Sequence, residues 1–578
     1  MVEPIDWLEA RKYTPEKLIQ AQVILEEVRN GSDVKEAVRR HPLPVSGGHV
    51  AKHVLVHLYR KMVDSGEWEE DPDLLLRIRM KPIRTLSGVT TVTVLTKPYP
   101  CPGNCIFCPT EECEPKSYLS DEPGARRALQ NFFDPFAQVT SRLQALRAVG
   151  HPTEKIELLI LGGTFTAYRK DYQAWFVLRC FQALNQDAIP TLPGADQSII
   201  QENDVQPKQQ PASIPDIEST LKVMDKEHAT NVTSMRRNVG LVFETRPDEI
   251  NYKELAWLRS LGGTKLQLGA QSLDDHILQI NKRGHTVEQT IRAMLRVRAA
   301  GFKSVIHWMP NLLGATPESD VEDFKNLWGD ESNNGGLCPD EIKIYPTQLL
   351  KNSELYQYYL RGEYHPYSEE TLIRILADVK ATIPRYCRVN RVIRDIPSNN
   401  VVEGNRRTSL RQDALLELER RGQHCNCIRC REVRGGVVAH ADLVLSDMVY
   451  NPAAMEGEAS STEHFLSYVN EQDQIAGYLR LSLPNLIQPD LILSNPDLEG
   501  AAIIREIHVY GQSLPVGVGK SGAAQHIGLG TRLIQAAVEK SKLAGFKHLA
   551  VISAIGTREY YQKRGFLRGT LYQVMDIN

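Results

Sequence analysis

Six short runs of apolar and β-branched residues alternate with stretches of helical periodicity between Val89 and Tyr345. The runs are residues 89–96, 156–161, 239–244, 265–269, 304–308 and 341–345. Strands that alternate with helices predict an α/β fold with a parallel sheet, and we expect that sheet to close into a full or partial (β/α) barrel. Chemistry in such barrels lies at the carboxyl ends of the strands, so residues that follow each run are the first candidates for a site.

A cysteine triplet follows the first of these runs. Cys101, Cys105 and Cys108 lie on a short segment that also holds a proline and a glycine. Closely spaced thiolates can converge on one soft metal centre, whereas disulfide bonds would leave one of the three unpaired. An iron–sulfur cluster ordinarily takes four cysteines, so three predict a cluster with one iron free to hold another ligand. The alternatives are a zinc site completed by Cys113 and a chance grouping.

Other strand ends carry residues suited to a small ligand. Gly162 and Gly163 follow the second run, Glu244 and Arg246 the third, and Gln271 the fourth. Glycine after a strand lets a ligand approach main-chain groups, although the pair could also form a tight turn. The charged and amide side chains could hold polar groups of a ligand, or they could form a satisfied polar layer in the barrel mouth.

A segment rich in arginine follows the last of these runs. Residues 385–434 contain twelve arginines, no lysine and six acidic residues, although the whole chain has a formal net charge of −3. Arginine suits bidentate recognition of phosphate and stacking on exposed bases, so the segment predicts an RNA partner. The alternative is a solvated surface or internal ion pairs with Glu417 and Glu419. The candidate RNA-binding residues, which include a basic cluster before the first strand, are Arg77, Arg79, Lys81, Arg84, Arg385, Arg388, Arg406, Arg407 and Arg411.

Three more cysteines lie inside the arginine-rich segment, with a spacing that again suits convergent thiolates. They are Cys425, Cys427 and Cys430. Structural zinc normally takes four ligands, so a fourth must come from another part of the chain. We expect that ligand to be Cys338, from a loop before the sixth run, in preference to His424 and His440.

The chain changes character after about residue 438. Strand-like stretches lead to the segment Gln-His-Ile-Gly-Leu-Gly at 525–530, which opens a helix with an apolar face. Glycines at such a helix start leave backbone N–H groups free to bind an anion. This segment and the later Tyr-Tyr-x-x-x-Gly-Phe segment resemble the pyrophosphate-binding loop and the ending of the GNAT-type N-acetyltransferase fold, a mixed sheet. The resemblance implies an acetyl-CoA site in which a tyrosine near the thioester acts as an acid.

The first cysteine triplet resembles the signature of the radical S-adenosylmethionine (SAM) superfamily, in which the open iron binds SAM and an electron from the cluster cleaves it to a 5′-deoxyadenosyl radical. A radical SAM barrel followed by an acetyltransferase domain resembles the catalytic subunit of Elongator, from about residue 75 to the end. The blocks that carry this likeness include Glu-Thr-Arg-Pro-Asp at 244–248, Asn-Lys-Arg-Gly-His-Thr at 281–286, Lys-Ile-Tyr-Pro-Thr at 343–347 and Glu-Ile-His-Val-Tyr-Gly at 506–511.

The Elongator resemblance implies a tRNA-modifying enzyme that uses a SAM-derived radical and acetyl-CoA to carboxymethylate carbon 5 of the wobble uridine, at anticodon position 34. It implies a 4Fe–4S cluster on the first cysteine triplet and structural zinc on the second. The residues that would contact SAM are Gly162, Gly163, Glu244, Arg246 and Gln271. Those that would contact acetyl-CoA are Glu506, Ile507, His508, Val509, Gln525, His526, Gly528, Leu529, Gly530 and Tyr561, with Tyr560 and Tyr561 as the catalytic residues.

The partners that this resemblance implies are the tRNA anticodon stem-loop, an external electron donor, and either a second copy of the chain or Elongator-like accessory subunits. Two other functions are consistent with the motifs. A protein lysine acetyltransferase with a structural iron–sulfur cluster would transfer acetyl groups to a peptide without cleaving SAM. A noncatalytic tRNA-binding scaffold would use the cluster only to organise its fold.

The same patterns predict four regions. Residues 1–75 form a helical domain that either adds to a tRNA surface or is a neutral cap. Residues 76–395 form the radical SAM barrel, with a flexible, polar insertion at 186–232. Residues 396–437 form an arginine-rich zinc linker, and residues 438–578 form the acetyltransferase-like domain. The sequence has no run of 18 apolar residues and no signal peptide at its start, which predicts a cytoplasmic protein with no membrane partner.

Overall fold

The computed structural model describes residues 13–45, 47–85, 87–187, 214–330, 334–433, 442–510 and 528–578. Within these ranges the chain forms a helical amino-terminal region and two seven-stranded sheets. No helix in the described ranges is long and apolar enough to cross a membrane.

The first sheet is the barrel that the alternating pattern predicts. Its strands are β1 (Thr90–Leu95), β2 (Lys155–Leu161), β3 (Arg237–Thr245), β4 (Lys265–Gln271), β5 (Lys303–Trp308), β6 (Glu341–Ile344) and β7 (Arg388–Arg391). They lie in chain order, and every neighbouring pair is parallel. No pairing among the described residues joins β1 to β7, so the barrel is partial.

All six predicted runs are strands, but the seventh strand was missed. Arg388 and Arg391 belong to β7, where sequence reasoning saw only a basic surface. Val389 between them is buried, and the strand pairs with β6 from Glu341 to Lys343. A four-residue strand with three polar residues has too weak an apolar signal to be recognised from sequence.

Helices connect the strands of the barrel. They are α5 (Pro123–Gln130), α6 (Pro135–Ala148), α7 (Lys170–Leu184), α8 (Ile217–Asn231), α9 (Tyr252–Ser260), α10 (Asp275–Ile280), α11 (Val287–Ala299), α12 (Pro317–Lys325), α13 (Leu355–Leu360) and α14 (Glu369–Ala381). Two more, α15 (Leu410–Arg420) and α16 (Ile428–Arg431), follow β7. The amino-terminal helices are α1 (Pro15–Arg29), α2 (Val34–Arg40), α3 (Lys52–Asp64) and α4 (Pro72–Ile78). The amino-terminal helices bury a core of their own, and they extend to Ile78, slightly beyond the predicted boundary at 75.

Helix α8 corrects part of the predicted flexible insertion at 186–232. Asp216 caps its first turn, and Thr220, Met224 and His228 are buried at a spacing of four residues. This spacing places them on one face of a helix, which packs against α7. Residues 188–213 of the insertion lie outside the described residues.

The second sheet is mixed, as the acetyltransferase resemblance implies. Its strands are β8 (Val444–Tyr450), β9 (Ser460–Val469), β10 (Ile475–Leu486), β11 (Ala501–Val509), β12 (His548–Val551), β13 (Leu567–Arg568) and β14 (Gln573–Asp576), and its helices are α17 (Pro489–Ser494), α18 (Leu529–Leu543) and α19 (Arg558–Gln562). The order is β13-β14-β12-β11-β10-β9-β8, in which β11 and β12 are parallel and the other pairs antiparallel. Helix α18 packs its apolar face on this sheet.

Buried ion pairs join the second sheet to the barrel. Asp340, just before β6, accepts two hydrogen bonds of 2.7 Å from Arg505 of β11, and both side chains are fully buried. Glu506 of β11 binds Lys303 of β5 at 3.0 Å. Because Lys303 and Asp340 lie at the amino ends of their strands, the second sheet docks at the end of the barrel opposite its mouth.

Candidate functional site

The first cysteine triplet lies beyond the carboxyl end of β1, at the mouth of the partial barrel. Cys105 is buried, and its thiol is hydrogen-bonded to that of Cys108. The Cys101 sulfur lies 3.7 Å from the Thr164 hydroxyl oxygen, beyond the end of β2. The three sulfurs do not meet within 4.8 Å of one another. Cys105 and Cys108 are thus paired, and Cys101 lies apart from at least one of them.

Two guanidinium groups give the triplet a positive environment. Arg283 donates from Nη1 to the Cys105 sulfur at 3.4 Å, and Nη1 of Arg246 is buried without a hydrogen-bond partner among the described residues. The hydrogen bond with Cys108, together with the charge of Arg283, lowers the pKa of Cys105. A lower pKa favours the thiolate, which is the form that binds iron. A β-carbon at Gly103 would displace the end of the Arg246 side chain, which lies directly against this glycine.

Gly162 and Gly163 bring the ends of β1 and β2 close together. Their φ angles are 130° and 95°, in the region that favours glycine. A β-carbon at Gly162 would collide with the Thr96 hydroxyl, which is 2.8 Å from the Tyr168 hydroxyl. A β-carbon at Gly163 would touch only the Lys116 carbonyl oxygen, at 3.7 Å. Gly162 therefore serves the tight turn, and Gly163 leaves main chain open to a ligand.

The other predicted SAM residues lie at the same mouth. Glu244 accepts a hydrogen bond from the Tyr118 hydroxyl at 3.2 Å, and burial raises the pKa of Glu244. Arg246 is held by Asp248, with Nε 2.9 Å from Oδ1. Gln271 has a φ of 75°, and its buried side-chain oxygen has no partner among the described residues. Unpartnered buried polar atoms on two of these three residues favour a ligand site over a satisfied polar layer.

Sequence reasoning missed the polar side chains just below the mouth. His307 lies 3.7 Å from Glu244 and 3.1 Å from the amide oxygen of Gln267, to which Lys343 also donates. Burial, with the charge of Lys343, lowers the pKa of His307, which favours the neutral imidazole. Lys343 belongs to the Lys-Ile-Tyr-Pro-Thr block. A lysine within an otherwise apolar run was the sequence signal by which this residue could have been found.

Charged side chains continue through the barrel interior. Lys265 of β4 binds Glu157 of β2 at 2.9 Å and Glu341 of β6 at 3.0 Å. Side chains from alternate strands meet in this way inside (β/α) barrels, where branched apolar residues usually fill the space. Here the interior is ionic from the mouth down to the face on which the second sheet docks.

The amino terminus of α18, the helix that packs on the second sheet, places backbone N–H groups next to the phenol of Tyr560. Gly528, with a φ of 72°, precedes α18, and no side chain of the described residues caps this helix. A β-carbon at Gly530, in the first turn, would collide with the Tyr560 hydroxyl. A helix amino terminus of this kind favours an anion such as a pyrophosphate. Gln525 and His526, the first residues of the predicted loop, lie outside the described residues.

The two predicted catalytic tyrosines have different surroundings. Tyr561 is buried with Leu529 in the core of the second half, packs edge-to-face on Phe566, and has its pKa raised by burial. Tyr560 is half-buried, and the Arg564 guanidinium lies 3.6 Å from its ring centre. Tyr560 rather than Tyr561 therefore presents its hydroxyl at the start of α18.

The block Glu506 to Val509 divides between the two faces of β11. Ile507 and Val509 pack against the core that includes α18, whereas Glu506 faces the barrel and binds Lys303. His508 lies on the same face as Glu506, because side chains alternate along a strand. Only Ile507 and Val509 therefore face the helix that the predicted acetyl-CoA loop begins.

The second cysteine group is compact. Its sulfurs, from Cys425, Cys427 and Cys430, lie within 4.8 Å of one another. Hydrogen bonds from the other two thiols lower the pKa of Cys427, and Lys380 Nζ lies 3.5 Å from the Cys425 sulfur. Cys338, the expected fourth ligand, is not part of this group. Its thiol lies in the barrel core, 3.9 Å from the Trp328 carbonyl oxygen, and no fourth cysteine, histidine or carboxylate among the described residues joins the three.

Most of the predicted RNA-binding arginines are engaged within the chain. Their partners are the Val28 carbonyl for Arg77, the Gly150 carbonyl for Arg79, Asp473 for Arg385, Glu432 for Arg388, Glu369 for Arg407 and the Val389 carbonyl for Arg411. Glu417 binds Arg420 and Arg421, so the alternative of internal ion pairs holds for part of the segment. Lys81, Arg406 and Arg407 are exposed, and the side chain of Arg84 lies outside the description.

Comparison with protein families matches residues 99–327 to the Radical SAM superfamily and residues 339–420 to the Radical SAM C-terminal domain. The first match spans the cysteine loop and strands β2 to β5. The radical SAM interpretation of the triplet is therefore confirmed at the level of the domain.

Relatives cover almost the whole chain. The tRNA uridine(34) acetyltransferase of Methanocaldococcus jannaschii is 37% identical over 516 residues, which is 87% of each chain. Elongator complex protein 3 of Homo sapiens is 32% identical over 515 residues, 85% of each chain. The solved structure of archaeal Methanocaldococcus infernus Elp3 with an amino-terminal deletion has a TM-score of 0.66 at 31% identity, and covers 85% of this chain and 100% of that chain.

Proposed function

Because this chain belongs to the family of the tRNA uridine(34) acetyltransferases and Elongator complex protein 3, we propose that it is a radical SAM enzyme that modifies the wobble uridine of tRNA. The observation that carries the proposal is the union, in one chain, of a cysteine loop at a barrel mouth and an acetyltransferase-like sheet docked at the other end. The finer proposal is that the product is 5-carboxymethyluridine, with acetyl-CoA as the source of the added carbons.

The mouth of the barrel fits a 4Fe–4S cluster and SAM. Cys101, Cys105 and Cys108 would hold the cluster, and the unpartnered nitrogen of Arg246 and oxygen of Gln271 are free to bind polar groups of SAM. When bound, the cluster and SAM supply a carbon-centred radical that can activate an unreactive methyl group. The hydrogen bond with Cys108 and the charge of the Arg283 guanidinium lower the pKa of Cys105, which favours its thiolate, and Gly163 would leave main-chain groups accessible to the ligand.

The second half fits acetyl-CoA. The free N–H groups at the start of α18 would bind the pyrophosphate, and Gly530 leaves space for the Tyr560 hydroxyl beside them. Burial raises the pKa of Tyr560, so its phenol stays protonated and can donate to a thioester or thiolate.

The partners follow from this reaction. The wobble base lies in an anticodon loop, where it can enter a pocket without melting a duplex. An external electron donor would reduce the cluster. A second copy of the chain or Elongator-like accessory subunits would complete the assembly.

We expect anaerobically reconstituted protein, supplied with SAM, a reductant, acetyl-CoA and tRNA, to form 5′-deoxyadenosine and a modified uridine. Mass spectrometry of digested nucleosides measures the uridine, and chromatography measures 5′-deoxyadenosine. Reactions without acetyl-CoA should lack the carboxymethyl group. Absence of both products would overturn the proposal, whereas acetylation of a lysine peptide without SAM cleavage would favour the protein acetyltransferase. RNA binding without either activity would favour the noncatalytic scaffold.

We further propose that the second cysteine group binds structural zinc. Three convergent cysteine sulfurs, within 4.8 Å of one another, suit zinc, which binds cysteine in its thiolate form. Replacing Cys427 with serine should remove about one equivalent of zinc, measured by elemental analysis, and lower the melting temperature. Cys338→Ser is the matched control, which should keep its zinc. Zinc retained in the Cys427 variant, or lost only in the Cys338 variant, would contradict this site.

A further inference from the structure

A polar groove lies beside the first cysteine loop. It has a volume of about 570 Å³. The polar side chains that line it are Lys351, Asn352, Asn399, Asn400 and Arg406. Two cations and three amides thus face one opening, and none of the described residues that line it is a carboxylate.

The groove is tied to the loop that carries the cysteines. The Asn352 carbonyl accepts a hydrogen bond of 3.2 Å from the N–H of Thr110, two residues after Cys108. The N–H of Leu355 donates at 2.8 Å to the carbonyl of Ile106, which lies between two of the cysteines in the chain. A molecule in the groove therefore lies next to the barrel mouth.

Neither cation of the groove, Lys351 or Arg406, has a carboxylate partner in the described part of the chain. Lys351 is exposed, and no ion pair with it occurs in the described part of the chain. Arg406 is held by the carbonyls of Val401 and Val402, at 2.9 and 2.7 Å from Nη2, and these contacts fix the guanidinium without neutralising it. The neighbouring Arg407 differs, because Glu369 binds it at 2.6 Å.

The amides of the groove are also held in place. Asn400 donates to both carboxylate oxygens of Asp121, at 2.8 and 2.9 Å, and Asn399 donates to the same carboxylate at 3.4 Å. The amide oxygen of Asn400 then faces away from that carboxylate, because its nitrogen points toward it. The amide nitrogens are thereby occupied, and the amide oxygens that remain suit the hydroxyl donors of a ribose.

We propose that this groove binds the single-stranded backbone of the RNA substrate next to the base that enters the barrel. The inference rests on the proposed function. It adds Lys351, Asn352, Asn399 and Asn400 to the substrate site, and it assigns Arg406, but not Arg407, to that site. Lys351 and Arg406 contact phosphates, and the amide oxygens of Asn399 and Asn400 accept hydrogen bonds from ribose hydroxyls. The Asn352 amide contacts phosphate oxygens or ribose hydroxyls. Such contacts position the substrate without reading its sequence.

The test uses the reconstituted full chain and an anticodon stem-loop RNA, with binding measured by fluorescence anisotropy over a range of salt concentrations. The double variant Lys351→Gln, Arg406→Gln should bind roughly tenfold more weakly at low salt, and the slope of log affinity against log salt should fall by about 1 to 2. Arg407→Gln and Arg361→Gln are matched controls, since each removes an exposed arginine that already has a carboxylate partner. Iron content and melting temperature check that the variants fold.

The outcomes separate the groove from the proposed function. If the wild-type chain binds and modifies RNA but the double variant keeps its affinity and salt slope, the groove assignment is overturned and the proposed function stands. A loss of acetyl-CoA binding with unchanged RNA binding would assign the groove to the phosphates of coenzyme A and would also overturn it. If the wild-type chain neither binds nor modifies RNA, the proposed function itself fails, and the groove assignment fails with it.

Discussion

Replacing Cys105 with serine is expected to eliminate the iron–sulfur cluster and SAM cleavage. Cys105 is the member of the triplet whose pKa is lowered, by its hydrogen bond with Cys108 and by Arg283, so it is the thiol best prepared to bind iron. Replacing outer-shell partners of metal sites already costs about 10- to 100-fold in affinity or activity, so losing a direct ligand should reduce 5′-deoxyadenosine formation at least 100-fold. Iron content and the visible absorbance of the cluster should fall in parallel.

Cys113→Ser is the matched control for this experiment. Cys113 is exposed and lies outside the triplet, so its replacement should leave iron content and SAM cleavage unchanged. Loss of metal in the Cys113 variant would instead support a site completed by a fourth cysteine. Full SAM cleavage by the Cys105 variant would contradict the assignment of the triplet to the cluster.

Replacing Arg505 with methionine is expected to destabilise the attachment of the second sheet to the barrel strongly. Asp340, which is fully buried, would lose both of its 2.7 Å hydrogen bonds to Arg505. It would keep the hydrogen bonds from the Ser304 N–H and hydroxyl, but Arg480, at 3.4 Å, would be its remaining cationic partner among the described residues. Removing one partner of a buried pair costs about 3–5 kcal/mol, because the other charge stays buried without compensation. Denaturant unfolding measures the loss as a lower midpoint.

The control is Arg407→Met, which breaks a half-exposed ion pair with Glu369 and should cost about 1 kcal/mol or less. The double variant Asp340→Leu, Arg505→Met removes both charges, so it should be more stable than the sum of the two single losses predicts. A midpoint unchanged in Arg505→Met, or additive losses in the double variant, would show that these two residues do not hold the halves together.

Much of the fold could be predicted from the sequence because its signals are local. The alternation of apolar runs with helical stretches located six of the seven barrel strands, and the glycines before Leu529 located the start of α18. β7 was missed because its burial depends on pairing with β6 rather than on its own composition. Helix α8 lay within a region that composition marked as flexible, although its buried residues follow a helical period.

The residues of the candidate site also divide into those that the sequence predicted and those that it did not. The sequence predicted the triplet of cysteines together with Gly162, Gly163, Glu244, Arg246 and Gln271, because each lies at or just beyond the end of a strand, and the structure brings these strand ends to one mouth. Arg283, His307 and Lys343 were not assigned to it, because their contacts join separate segments. The choice of Cys338 failed for a related reason: a loop of suitable composition before β6 turns its thiol into the barrel core.

The sequence by itself determined the chemistry that this protein carries, since cysteine spacing, glycine at a helix start and strand periodicity act between residues a few positions apart. Only the tertiary structure decided which charges are free. It paired most arginines of the basic segment with carboxylates or carbonyls, left Lys351 and Arg406 uncompensated beside the cysteine loop, and presented Tyr560 rather than Tyr561 at the helix start. The physical reason is that a charge or hydroxyl acts on whatever lies within a few ångströms, and its neighbours in space come from parts of the chain that sequence spacing does not connect.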